Sequence, residues 1–195
     1  MKDYTERQRQ IIDTSLTLSS QGGMNTLTIR NIARDLGVTE PAIYRHFTSK
    51  HEILVAMLDV LQSTVSPHFM LLEKAADSPD SFFTPFLTAL FTTIEANPAF
   101  ALFIFSEEVF HSDAALRPHL SELLEKILKN LETICTGLQT SVHFSGALSA
   151  SDTALIILST VRLTVTRWNV AQEKYSLVSQ VELLNRLLCT VLFTR

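Results

Sequence analysis

Apolar residues recur every three or four positions along most of the chain, and runs that alternate apolar with polar are few. That period is helical, so an all-α protein is expected. A first helix is expected over about Thr5 to Gln21, with Ile11, Ile12, Ser15 and Leu16 on one face. Gly22-Gly23 ends it, as glycines do just past a helix terminus. Thr28 reads as the N-cap of a two-turn helix whose apolar stripe is Ile29, Ile32, Ala33 and Leu36. Gly37 supplies a turn, and Thr39 is the next N-cap. Pro41 then sits in a first turn, where its missing N–H costs little, and Ile43 and Phe47 face inward. Ser49-Lys50-His51-Glu52 fits the capping pattern S-x-x-E and opens a long helix through Ile53, Leu54, Met57, Leu58 and Leu61.

Five more helices are expected, about nine in all. One runs from about Ser81 to Glu95, and Asn97-Pro98 starts another that ends near His111. Apolar positions from Leu116 to Leu138 make a long amphipathic helix, and Thr140 to Ala150 reads as a loop. Ser151-Asp152 opens a helix through Val170, and the last spans about Leu177 to Phe193. There is no internal repeat and no flexible linker.

Composition narrows the class. The 195 residues are 46% hydrophobic and 18% charged, a globular balance. The two cysteines, Cys135 and Cys189, lie too far apart for a metal knuckle and are too few for a disulfide framework. The polar start, Met1 to Gln10, carries no secretory signal. The most apolar stretch, Ser81 to Ser106, is broken by Glu95, Asn97 and Pro98, and neither part reaches the ~20 residues of a membrane span. A cytoplasmic protein with no membrane association is therefore expected. The histidines at 46, 51, 68, 111, 119 and 143 show no metal-ligand spacing. No catalytic set or Gly-rich phosphate loop occurs, so neither an enzyme nor a cofactor is expected.

The net charge of −4 conceals a split. Residues 1–50 carry seven basic and five acidic groups, a balance of +2, and the other 145 carry nine and fifteen, a balance of −6. That asymmetry points to two jobs. In the basic part, Thr28 to Lys50 reads as two short helices joined by a turn at Gly37, a helix-turn-helix. In such a motif the second helix projects into the DNA major groove and its N-terminal residues meet base edges. Base reading then falls to Thr39, Glu40, Pro41, Ala42 and Arg45. Arg45 suits guanine, Glu40 suits cytosine N4, and Pro41 or Ala42 suits a thymine methyl. Glu40 also reads as a helix-capping charge that repels stray phosphates. Lys50 lies in the first turn of its helix, where the macrodipole opposes a cation by ~0.3–1 kcal/mol, a cost that an adjacent phosphate reverses.

The run TIRNIARDLGVTEPAIYRHFTSK resembles the TetR family of transcriptional repressors. Thr28, Ile32, Ala33, Leu36, Gly37, Val38, Pro41, Ile43, Tyr44, His46, Phe47, Lys50 and Leu54 carry the likeness, sharpest from Thr5 to about Leu61. The resemblance implies that Thr28, Tyr44 and His46 grip phosphates and that Arg30 lies near the groove. The alternatives are a plain N-cap for Thr28, a ring packed on the core for Tyr44 and carbonyl-satisfying contacts for His46.

Nine of the twelve phenylalanines lie between Phe69 and Phe110, as a core, as a pocket wall, or as both. By resemblance, the middle helices enclose a small hydrophobic effector; Phe69, Phe86, Phe103 and Phe105 are the candidates to line it, and Glu108, His111 and Arg162 the candidates to orient it, with a solvated or paired side chain as the alternative for each of these three. The last two helices carry apolar residues on more than one side, which suggests a partner surface. The resemblance implies a homodimer through Ile157, Val161, Trp168, Leu184 and Leu188, with two reading heads on a palindromic double-stranded operator; ordinary core packing is the alternative for Trp168. The expected organisation is a DNA-binding domain over residues 1–50 and an effector-binding and dimerisation domain over 51–195. The expected function is a repressor released by its effector. A chromosome-binding factor of the nucleoid-occlusion kind is the alternative, and an apolar-ligand carrier or enzyme is the alternative from another class.

Overall fold

The computed structural model describes residues 3–74, 81–105, 114–139, 148–171 and 174–193, with the backbone alone at 73–74, 102–105 and 114. Nine α-helices and no strand occur among them: α1 (Glu6–Gly22), α2 (Ile29–Asp35), α3 (Glu40–Tyr44), α4 (Lys50–Lys74), α5 (Thr84–Ala96), α6 (Pro98–Phe105), α7 (Arg117–Leu138), α8 (Ala150–Val170) and α9 (Val181–Leu192). The fold is all-α, as the periodicity predicts.

Two compact units divide the chain. The first holds residues 1–63 and 97–123, the second 64–96 and 124–195. The boundary expected near residue 50 is not one of the divisions between these units, which interleave along the chain. One division falls inside α4 between Ser63 and Thr64. Pro67 lies inside that helix and has no N–H to donate to the Ser63 carbonyl, four residues back.

In the first unit α1 packs on α2 and α6, and α2 packs on α3. Its core is Ile11, Ile12, Leu27, Ile32, Ile43, Phe47, Ile53 and Leu54. Each such side chain stabilises by roughly 1.5–3 kcal/mol on burial. Ser15 and Ser19 are also buried, and their hydroxyls donate to the carbonyls of Ile11 and Ser15 at 2.7 Å each. The N-cap of α1 is Thr5, closed reciprocally with Gln8 in a capping box. Both glycines at its end are required, for different reasons. A Cβ on Gly22 would stand 2.2 Å from Thr26 Cγ2, and Gly23 has φ +68°.

By length and composition Lys50–Leu72 of α4 is apolar enough to cross a membrane. It lies outside residues 81–106, the most apolar stretch by sequence. Its Ile53, Leu54, Ala56, Met57, Leu58 and Leu61 are buried within the protein, as in a core helix.

In the second unit α5 packs on α9 and on the 3-10 turn Leu177–Gln180 that precedes α9, and α8 also meets that turn and α9. Glu95, in the last turn of α5, accepts from the backbone N–H groups of Leu177 and Val178 and from the Ser176 hydroxyl. It thereby satisfies donors that a helix start leaves orphaned. Buried Asn185 accepts from the Phe83 N–H at 3.0 Å, and Trp168 Nε1 donates to the Tyr175 carbonyl at 2.9 Å. Helix α8 starts two residues earlier than Ser151-Asp152 suggests. Ser149 is its N-cap, and its hydroxyl accepts from the Asp152 N–H at 3.0 Å.

Candidate nucleic-acid interface

Helix α2 exists because Thr28, extended at φ −126° and ψ 151°, lets its side chain accept from the Asn31 N–H at 3.1 Å. It ends in a Schellman motif: the Val38 N–H reaches the Ala33 carbonyl at 2.9 Å and the Gly37 N–H reaches that of Arg34 at 3.1 Å. Gly37 has φ +66°, and a Cβ there would meet nothing within 4 Å. Backbone conformation, not crowding, therefore calls for glycine at this turn.

Helix α3 follows at once and is only five residues long. Thr39 is its N-cap residue, with Pro41 at the second helical position. The Thr39 side chain makes no capping bond, so its hydroxyl stays exposed and available. Ile43 is the buried contact of α3, and Phe47 just beyond is buried too. Outward from that anchor stand Thr39, Glu40, Pro41 and Arg45, all exposed, with Ala42 half-buried.

Tyr44 is 49% exposed, so its ring is not sunk into the core. The side chains of Arg30, Glu40, Tyr44 and Arg45 and the ring of half-buried His46 have no hydrogen-bond partner among the described residues. The structure thus gathers Thr39, Glu40, Pro41, Ala42, Tyr44, Arg45 and His46 on one short segment, with Arg30 and Thr28 exposed on the neighbouring helix.

Lys50 opens α4 and is half-buried. The Ser49 hydroxyl accepts from the Glu52 N–H at 3.2 Å, the first half of the expected capping box. The reciprocal arm lies one residue earlier than expected: the Glu52 carboxylate accepts from the Thr48 N–H at 2.7 Å and from its hydroxyl at 3.0 Å. That extra turn of capping holds the loop between α3 and α4.

Sequence reasoning missed two residues that build this surface. The Gln8 Nε2 donates to the His46 carbonyl at 3.2 Å, and the Tyr4 hydroxyl donates to Asp59 Oδ2 at 2.6 Å. Burial first, then the Asp59 bond, holds the Tyr4 phenol far above its usual range. Thr5-x-x-Gln8 is a legible capping signal, but nothing local in the sequence ties Gln8 to residue 46 or Tyr4 to residue 59.

The residues expected to meet an effector fall in both units or outside the described residues. Phe69 and Phe86 are buried and packed, ring centroids 5.5 Å apart. Phe103 and Phe105 lie on α6, and Glu108 and His111 lie outside the described residues. Arg162 is on the exposed side of α8, away from the core residues of its own helix.

The residues assigned by resemblance to a dimer contact are covered within the chain itself: Ile157, Val161, Trp168, Leu184 and Leu188 are all buried. The exposed apolar residues of these helices are Leu155, Leu163 and Val170 on α8, and Leu183, Leu187 and Val191 on α9. Helical periodicity finds apolar faces but does not say which one the chain's own core covers.

Residues 11–57 match the family described as bacterial regulatory proteins, tetR family, and residues 71–191 match a family described as YsiA-like protein, C-terminal region. The chain is 24% identical over 188 residues to the fatty acid metabolism regulator protein of Bacillus subtilis, covering 92% of each. It is 22% identical over 125 residues to the nucleoid occlusion factor SlmA of Actinobacillus pleuropneumoniae, covering 64% of this chain and 62% of that protein. The chain therefore spans less than two thirds of that relative. Among solved structures it is similar to the transcriptional regulator FadR from Bacillus subtilis in complex with stearoyl-CoA, with a TM-score of 0.76, 23% identity, and 93% and 97% of the two chains covered.

Proposed function

The chain belongs to the tetR family of bacterial regulatory proteins and is a DNA-binding transcriptional regulator, and from that premise we propose that it is a repressor that binds a palindromic operator as a dimer and is released by a long-chain acyl effector. The observation that carries the DNA-reading part is the polar set formed by the side chains of Thr39, Glu40, Tyr44, Arg45 and His46, without hydrogen-bond partners among the described residues, around a helix anchored by Ile43. Such groups are aimed at hydrogen-bonding partners that a folded core does not supply.

Two observations support the acyl effector. The aromatic residues concentrate in the middle of the chain, and the similarity to the fatty acid metabolism regulator runs over nearly all of both chains. An apolar effector acts only if it binds one DNA-binding state better than the other. The test begins with a duplex selected by the protein from a random-sequence pool. Stearoyl-CoA is expected to weaken that complex at least tenfold, and an unchanged affinity would sink the effector reading while leaving DNA binding intact.

The dimer surface in this reading is the exposed set Leu155, Leu163, Leu183, Leu187 and Val191, not the buried set. The similarity to SlmA over 125 residues favours a second reading, a chromosome-binding factor. Genome-wide mapping separates the two: a few promoter sites support the repressor, many dispersed sites the alternative.

A further inference from the structure

We propose that Gln8 is a positioning residue for DNA reading: its side-chain amide ties the first turn of α1 to the end of α3 and fixes where Arg45 and His46 stand. The proposal rests on α3 being the reading helix.

Both ends of the Gln8 amide are engaged. Its Oε1 accepts from the Thr5 N–H at 3.0 Å and from the Thr5 hydroxyl at 3.2 Å, while its Nε2 donates to the His46 carbonyl at 3.2 Å. A five-residue helix has barely more than one turn and cannot hold itself, and its last carbonyls lack intrahelical donors. His46, two residues beyond α3, receives its donor from α1.

The segment that carries Gln8 is itself fixed. The Tyr4 ring is buried beside Phe47, with centroids 6.5 Å apart, its hydroxyl donates to Asp59, and its carbonyl accepts from Arg9 Nε at 3.2 Å. Consecutive residues at the end of the reading segment are thus held from one stretch of chain: His46 by Gln8, and Phe47 against Tyr4.

Capping of α1 uses the backbone N–H of Gln8 and, from its side chain, the Oε1 alone. Glutamate serves a capping box as well as glutamine does, but it has no N–H to donate to His46. The two roles are therefore separable in one substitution.

The probe is the duplex selected from a random pool by the unmodified protein, with a scrambled duplex of equal length beside it. The quantity read is the ratio of the two affinities. A charge introduced near DNA weakens both complexes alike, and loss of folded protein lowers both apparent affinities alike, so both effects cancel in the ratio. Gln8→Glu is expected to keep the thermal midpoint and to lower the ratio about fivefold, the factor of one neutral hydrogen bond. Gln8→Met is expected to lower the ratio similarly and to reduce the midpoint as well, because it also removes the side-chain arm of the capping box and leaves only the bond from the residue 8 N–H to the Thr5 hydroxyl.

An unchanged ratio in both Gln8 variants, with Arg45→Ala lowering it, would overturn the proposal while leaving α3 as the reading helix. A ratio that Arg45→Ala also leaves unmoved would overturn the reading-helix premise and the proposal with it.

Discussion

Among the described residues, two parts of this protein leave side chains without partners, and they do so with opposite chemistry. Around α3 the unpartnered groups are polar: Thr39, Glu40, Tyr44, Arg45 and the His46 ring. On α8 and α9 they are apolar: Leu155, Leu163 and Val170, with Leu183, Leu187 and Val191. Both helix sets use an inward stripe for the core, Ile43 in one and Val161, Val165, Leu184 and Leu188 in the other. What stands on the other side indicates the partner. Hydrogen-bonding groups on a short projecting helix suit base edges and phosphates, and leucines three to four residues apart on a helix suit another apolar helix.

The largest effect is expected on the apolar side. Leu187→Asp should leave the monomer folded yet abolish the dimer, seen as halved mass by sedimentation, with operator affinity falling ~10²–10⁴-fold as one reading head is lost. The adjacent Leu188→Ala should behave differently, lowering stability by about 2–5 kcal/mol in denaturant melts, because Leu188 is 1% exposed and leaves a cavity. If Leu187→Asp stayed dimeric, the exposed leucines would not be the contact, and the contrast with α3 would collapse.

Next in size is Arg45→Ala, expected to relax discrimination at one base pair by ~1–3 kcal/mol in competition binding with single-base operator variants. Lys50→Ala should weaken all sequences alike and reduce the magnitude of the slope of log affinity against log salt by about 1.8, about 0.9 for each of the two reading heads of the proposed dimer. Equal salt slopes for the two variants would erase the distinction between base reading and phosphate gripping.

The smallest effect lies at His68, on α4 in the second unit, whose Nε2 stands 2.9 Å from Thr93 Oγ1. Burial holds its pKa below the ordinary 6.5. The unfolded chain therefore takes up a proton first as pH falls. The stability is present above about 6.5 and is lost as pH drops through that value toward the folded pKa. His68→Gln should flatten this loss in thermal melts between pH 7.5 and 5.5, and identical profiles would refute the assignment.

Much of the reading surface is local and therefore legible. The cap at Thr28, the turn at Gly37 and the inward pair Ile32 and Ala33 each depend on residues within five positions of one another. The face that the terminal helices leave exposed was not legible. Leu187 and Leu188 are the same residue type at adjacent positions, and only packing of α9 against α5 and α8 buries one and not the other.

The sequence by itself determined the all-α class, the helix-turn-helix and which polar residues it carries, because helical period, N-caps and a left-handed glycine are short-range requirements. Tertiary structure alone decided which leucines face water, that Glu95 caps a turn 82 residues away, and that Gln8 holds His46 from 38 residues off. Those depend on which segments meet in space, and the period of one helix says nothing about the partner that will cover it.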